Sequence, residues 1–244
     1  MAECALDLTG PVAWLRLGGR HLTAAMAGEL SGACAEVDAA AAVRLAVLTG
    51  ARPGVFVGGT ALADEAERAA AAAAVMNLAL VRKPTLAVID GAAHGAELEL
   101  ALACDLRVAS DGSTFALSLA GGEMPFLGGT QRLPRVIGRS RALDLLLTGR
   151  ILTAPEALAW GLALRVVPAE RLAEAVQDIA SSIASGAPLA IALAKEAVAA
   201  AFDLPLAEGM RLEEDLYALL QTTGDRAEGV RAFLERRAPR FRGS

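Results

Sequence analysis

The chain has 244 residues, with 23 Lys or Arg against 28 Asp or Glu, a formal net charge of −5, and a hydrophobic content of 55%. That length fits one domain with a sizeable core and a single active site, while the acid excess and the presence of only six Phe and one Tyr argue against a nucleic-acid binder. No uncharged apolar run approaches the ~20 residues of a membrane span, so the composition predicts a soluble protein with a small-molecule substrate and no membrane partner.

The opening MAECALDLTG carries acids where a secretory signal has a basic end and an apolar block, which predicts a cytoplasmic protein. Cys4, Cys34 and Cys104 show no CxxC spacing and read as reduced thiols, with no structural metal expected. VAWLRL (Val12 to Leu17), VRLAVLTG (Val43 to Gly50), TLAVIDG (Thr85 to Gly91) and LRVAS (Leu106 to Ser110) are short β-branched apolar runs closed by turn formers, and they read as buried strands. Thr23 to Ala41, Glu65 to Leu80 and Ala96 to Cys104 lie between them and are built from strong helix formers. Strand and helix thus alternate, which predicts an α/β fold with a largely parallel sheet.

From about Ser140 the pattern predicts helices alone. Ser140 reads as the cap of RALDLLLTG, and Thr153-Ala-Pro-Glu156 is a capping box with proline at the helix start. Further helices are expected at Glu170 to Ser185, Leu189 to Ala201, Leu206 to Leu220 and Asp225 to Arg237. No fixed-period repeat interrupts this order.

Two small-residue turns follow strands: PGVFVGGTALAD (Pro53 to Asp64) and DGAAHGAELEL (Asp90 to Leu100). Each is either a plain strand-to-helix turn or a place where free backbone N–H groups receive a developing negative charge, because the first N–H groups of a helix have no intrahelical partner. Neither matches GxGxxG, GxxxxGK[ST] or GxSxG, so nucleotide, dinucleotide and serine-hydrolase chemistry have no motif here.

Three segments carry a strong resemblance: KPTLAVIDGAAHGAELELALACDLRVAS, GGTQRLPRVIGRSRALDLLLTGRILTAPEALAWGLALRVVP and TTGDRAEGVRAFLERRAPRF. Over almost its whole length the chain resembles the enoyl-CoA hydratase/isomerase, or crotonase, superfamily. The resemblance implies a spiral of ββα units with a C-terminal helical region. Residues 1–139 would form the α/β spiral core with the acyl-CoA site, and residues 140–244 the helical region that serves oligomerisation and closure of the CoA site. It also implies a homotrimer or homohexamer, and an acyl-CoA thioester substrate with coenzyme A as part of that substrate and no separate cofactor.

In that family two backbone N–H groups hold the thioester oxygen while an enolate forms. FVGGTAL places one donor at Thr60 and HGAELEL the other at Ala96; Ala61 stands where an aspartate is usual, and Ala96 where glycine is. Glu99 lies three residues beyond Ala96 and four beyond Gly95, on the same helix face one turn along. Residue chemistry alone leaves it open between a solvent-facing glutamate and an acid/base group. The resemblance assigns it the role of the first catalytic glutamate of hydratases. The second should lie in STFALSLAGGEMPFLGG, where counting back from Gly128-Gly129 gives Ser118 and counting forward from Phe115 gives Leu119. Neither is a carboxylate; Glu123 is the nearest one in sequence.

Gly59, Gly95, His94, Ser118 and Leu119 are the remaining substrate-binding positions that the resemblance implies. His94 is either a hydrogen-bonded turn residue or a participant near the acyl group, and Glu97 reads as structural or solvated. Arg236, Arg237, Arg240 and Arg242 either complement a helix C-terminus or help hold CoA phosphates. The segment between Asp64 and Lys83, which walls the pocket in relatives, is shorter than usual.

Overall fold

The structure is a computed structural model that describes residues 2–19, 21–57, 62, 64–119 and 126–244. Its main sheet has the strand order β1 (Cys4–Asp7), β2 (Val12–Leu17), β3 (Leu45–Gly50), β4 (Thr85–Ile89), β6 (Leu106–Ser110) and β9 (Arg165–Val167). β1 and β2 form an antiparallel hairpin, and every later pairing is parallel. A smaller sheet sets β5 (Ala92–His94) parallel to β7 (Thr114–Ala116), and β7 antiparallel to β8 (Leu152–Thr153).

The chain climbs as the expected spiral of ββα units. It goes from β4 in the main sheet to β5 in the small one and then into α3 (Ala96–Ala103). Next it runs from β6 to β7 and on to α4 (Gly129–Ile137). The central strands β3 and β4 are buried on both faces because both are covered. Ala46, Leu48, Ala87 and Ile89 join the core beneath α1 (Ala24–Ala39), α2 (Glu65–Ala79) and α3. Their neighbours Leu45, Val47, Leu86 and Val88 pack with Leu172, Val176 and Ile179 of α7 (Leu172–Ala184).

Two expectations for the later chain need correction. Ser140 is not a cap: α5 (Arg139–Thr148) already includes it, and Gly138 occupies the N-cap position. The region after Ser140 is not helices alone either. β8 extends the small sheet and β9 the main one, because these short extended runs find open strand edges there. The Thr153–Glu156 capping box does open α6 (Ala154–Trp160), with both reciprocal bonds formed.

The chain ends in α8 (Pro188–Ala200), α9 (Leu206–Leu220) and α10 (Gly224–Leu234). Lys195 of α8 is anchored to the core, with Nζ 2.6 Å from Asp105 Oδ2 and 3.0 Å from the Lys83 carbonyl. The tail folds back on α10, where Asp225 accepts the Arg242 and Gly243 N–H groups. Large apolar side chains on these helices stay open, among them Leu206, Tyr217, Phe233 and Leu234. Among the described residues no single helix is long and apolar enough to cross a membrane.

Candidate functional site

The approach to Glu99 is set by one glycine. Gly95 takes φ 58° and ψ −123°, a backbone region that disfavours side-chain-bearing residues, and its N–H donates to the Ala116 carbonyl at 2.8 Å. That bond completes the pairing of β5 with β7 before the chain turns into α3. Ala96 is then the first helical residue, one of those whose N–H has no partner within the helix. The helix proper is under way at Glu99, whose N–H reaches the Gly95 carbonyl at 3.1 Å.

Glu99 is 1% exposed. Its Oε1 accepts the Leu127 N–H at 2.9 Å and the Gly129 N–H at 2.7 Å, donated by the loop that leads into α4. Burial raises its pKa above the ordinary glutamate value, against the lowering effect of the Gly129, Leu127 and Phe126 amides and of the Arg132 charge. Amide donors to a carboxylate favour the ionised form and desolvation favours the neutral one; here desolvation is the larger effect. The solvent-facing alternative for Glu99 is thereby removed. What remains is a carboxyl group whose two protonation states are brought closer in energy, one turn of helix from the Ala96 N–H.

On the Gly129 side this group is closely packed. A Cβ on Gly129 would sit 2.7 Å from Glu99 Cγ, 2.8 Å from its Oε1 and 2.9 Å from Leu117 Cδ2. Among the described residues, Leu117 shares this corner with Glu99. Ser118 turns instead toward the end of α5, where its Oγ lies 2.8 Å from the position a Cβ on Gly149 would take. Leu119 is 37% exposed and its N–H donates to the Leu146 carbonyl.

His94 lies in β5 rather than in a turn, alternating with the buried Ala93, and its Nε2 is 3.0 Å from Thr114 Oγ1. Burial lowers its pKa and so favours the neutral imidazole. Glu97 is buried, not solvated. Arg237 is paired with Glu228 and Glu235, and Arg242 lines a cleft of about 250 Å³ with Arg44, Arg82 and Lys83 at the start of β4. Gly59, Thr60 and Glu123 lie outside the described residues. The loop before Gly59 and Thr60 is anchored: Gly54 N–H donates to Asp90 Oδ2 at 2.6 Å, and Phe56 and Val57 are buried.

Sequence reasoning assigned no role to Leu127, Gly129 or Arg132. Their segment GGTQRL carried part of the resemblance, but main-chain donors leave no side-chain signature. The family model described as enoyl-CoA hydratase/isomerase matches residues 19–244. The chain belongs to that family. Among its relatives is an (E)-benzylidenesuccinyl-CoA hydratase of Thauera aromatica, 41% identical over 216 residues that cover 83% of this chain and 82% of the relative. An enoyl-CoA hydratase structure from Bacillus anthracis superposes with a TM-score of 0.92 at 34% identity, covering 99% of this chain and 100% of that one. A Geobacillus kaustophilus enoyl-CoA hydratase subunit I gives 0.91 at 38% identity, covering 99% and 98%.

Proposed function

We propose that the protein is an enzyme acting on an acyl-CoA thioester through an enolate, with Glu99 as the acid/base and the Thr60 and Ala96 N–H groups as the oxyanion hole. The observation that carries this reading is the buried Glu99 carboxyl, held by loop amides one helical turn from Ala96. As a carboxylate, Glu99 takes a proton from the carbon next to the thioester carbonyl. The C–H electron pair becomes the enolate double bond, and the carbonyl oxygen takes up the negative charge. Preorganised N–H donors stabilise that charge, each typically worth ~2.7–4 kcal/mol in the transition state.

Hydration of an enoyl-CoA is the default direction, and the names of the relatives support it. A second reading, isomerisation or decarboxylation, is favoured by Ser118 and Leu119 standing where hydratases place their second glutamate. The same enolate serves both, and decarboxylation needs no second carboxylate. Residues 140–244 are assigned oligomerisation and closure of the CoA site in a trimer or hexamer, a reading supported by the exposed apolar side chains of α9 and α10.

The test is proton exchange. Butyryl-CoA incubated with the protein in D₂O gains deuterium at its α-carbon, and Glu99→Gln slows this by ~10²-fold or more while acyl-CoA affinity stays within a few-fold. Tight binding without exchange across several acyl chains would mark an inactive acyl-CoA binder instead.

A further inference from the structure

Arg132 reaches backward along its own helix. It lies one turn into α4, its N–H donating to the Gly128 carbonyl at 2.9 Å, yet its guanidinium returns past the helix start and donates from Nη1 to the Leu127 carbonyl at 2.7 Å. It packs on Gly128, where φ is 100° and a Cβ would collide with Nη1. A cation at a helix N-terminus opposes the helix dipole, so its place there needs an offsetting partner. The Leu127 carbonyl is that partner, and the Glu99 charge adds to it at longer range.

Leu127 is thus held from both sides, its N–H by Glu99 and its carbonyl by Arg132. Several ionisable groups sit on the elements packed against α3: Glu65, Glu67 and Arg68 on α2, His94 on β5, and Arg132 and Arg135 on α4. Among these described residues, Arg132 is the one whose charge acts on Glu99. We infer that Arg132 is a positioning residue for the reaction: it clamps the 126–129 loop so that the amides of Leu127 and Gly129 stay on Glu99 Oε1. The inference rests on the proposal that Glu99 moves the proton, but it makes a separate claim about how Glu99 is held.

Two substitutions in the full chain test it, Arg132→Met and Arg132→Lys, with a readout that does not depend on turnover. Protein labelled with ¹³C at glutamate carboxyl carbons is titrated by NMR, the Glu99 signal being the one lost in Glu99→Gln. Removing the charge in Arg132→Met moves the Glu99 midpoint upward, because the neutral acid gains relative to the carboxylate. In the butyryl-CoA exchange assay kcat falls by about tenfold, the scale of losing one charge-assisted hydrogen bond that orients a reacting group, while KM stays within a few-fold. Arg132→Lys keeps the charge on a shorter arm, so its midpoint stays nearer the parent value while kcat still drops.

A Glu99 midpoint unmoved in a folded Arg132→Met protein would overturn the inference. Where that variant does not fold, Arg132→Lys decides: a kcat loss at near-constant KM supports the clamp, and an unchanged kcat refutes it. A parent protein that exchanges no protons refutes the proposed function instead. The NMR midpoint then still reports whether Arg132 governs Glu99.

Discussion

Gly129→Ala is the most direct probe of whether the Glu99 corner is built for chemistry. Gly129 begins α4 without a positive φ, so alanine fits the backbone, and in an open helix it would gain ~1 kcal/mol over glycine. Here the new methyl lands 2.7 Å from Glu99 Cγ and 2.9 Å from Leu117 Cδ2. Overpacking of this kind costs ~1–3 kcal/mol. If Glu99 swings away to relieve it, the Gly129 N–H loses a charged partner, worth ~1.5–3 kcal/mol. Set against the helix gain, the net loss is ~0–2 kcal/mol, or a fall of up to ~8 °C in melting temperature for a chain of this size. The catalytic effect should be larger, because a displacement of ~1 Å at a reacting group costs up to ~10²-fold. Calorimetry and α-proton exchange are measured beside Gly28→Ala, an exposed helical position with nothing within 4 Å, which should keep full activity and melt no lower than the parent. A Gly129→Ala protein with parental kcat would refute the assignment of Glu99, and one that melts higher would refute the packing argument.

The remaining expectations follow from the same site and from the outer helices. Hydration of crotonyl-CoA, followed by loss of enoyl absorbance, should be weak for want of a second carboxylate. Leu119→Glu should raise it, whereas Ser118→Glu should not, because Ser118 packs toward Gly149; near diffusion-limited hydration by the parent would point to Glu123 as the second acid. Glu99→Gln should also change the pH dependence of stability. The folded pKa of Glu99 is raised above the ordinary 4.5, so over the window above 4.5 the folded state binds more protons than the unfolded one, and stability falls as pH rises through the folded value. The melting temperature of Glu99→Gln relative to the parent should therefore climb between pH 4 and pH 8; a flat or falling difference would mean that the loop amides and Arg132 outweigh burial. Light scattering at micromolar concentration should report three or six subunits, and a clean monomer would remove the assembly proposal.

The main sheet was legible because burial on both faces leaves a simple mark. VAWLRL and LRVAS match β2 and β6 residue for residue, since each is a short, mainly apolar run bounded by turn-forming or polar positions. α4 was not legible as a helix. It opens on Gly129 and carries Pro134 in its interior, where proline lacks the N–H a helix uses, so local preference argued against the helix that packing on α3 stabilises. β9 escaped for a different reason: Arg-Val-Val is too short to show a period, and it becomes a strand only because β6 offers an open edge.

The same contrast separates the two glycines that shape the site. Gly95 was marked in sequence as a small residue between a strand and an apolar helix, and its φ of 58° gives the physical reason for a glycine there. Gly129 sits in ordinary helical conformation, so no rule about backbone freedom points to it. Its reason is space, and the occupants of that space are Glu99, thirty residues earlier, and Leu117, twelve earlier. Such a requirement exists only after α3 and α4 have packed together. Arg132 follows the same logic: on sequence it is one more basic residue in GGTQRL, and only the return of its side chain to the Leu127 carbonyl turns it into part of the support for Glu99. Glu99 itself was singled out by the resemblance of its segment and not by its spacing, while the main-chain amides and the cation that hold it stay hidden until the fold brings them in.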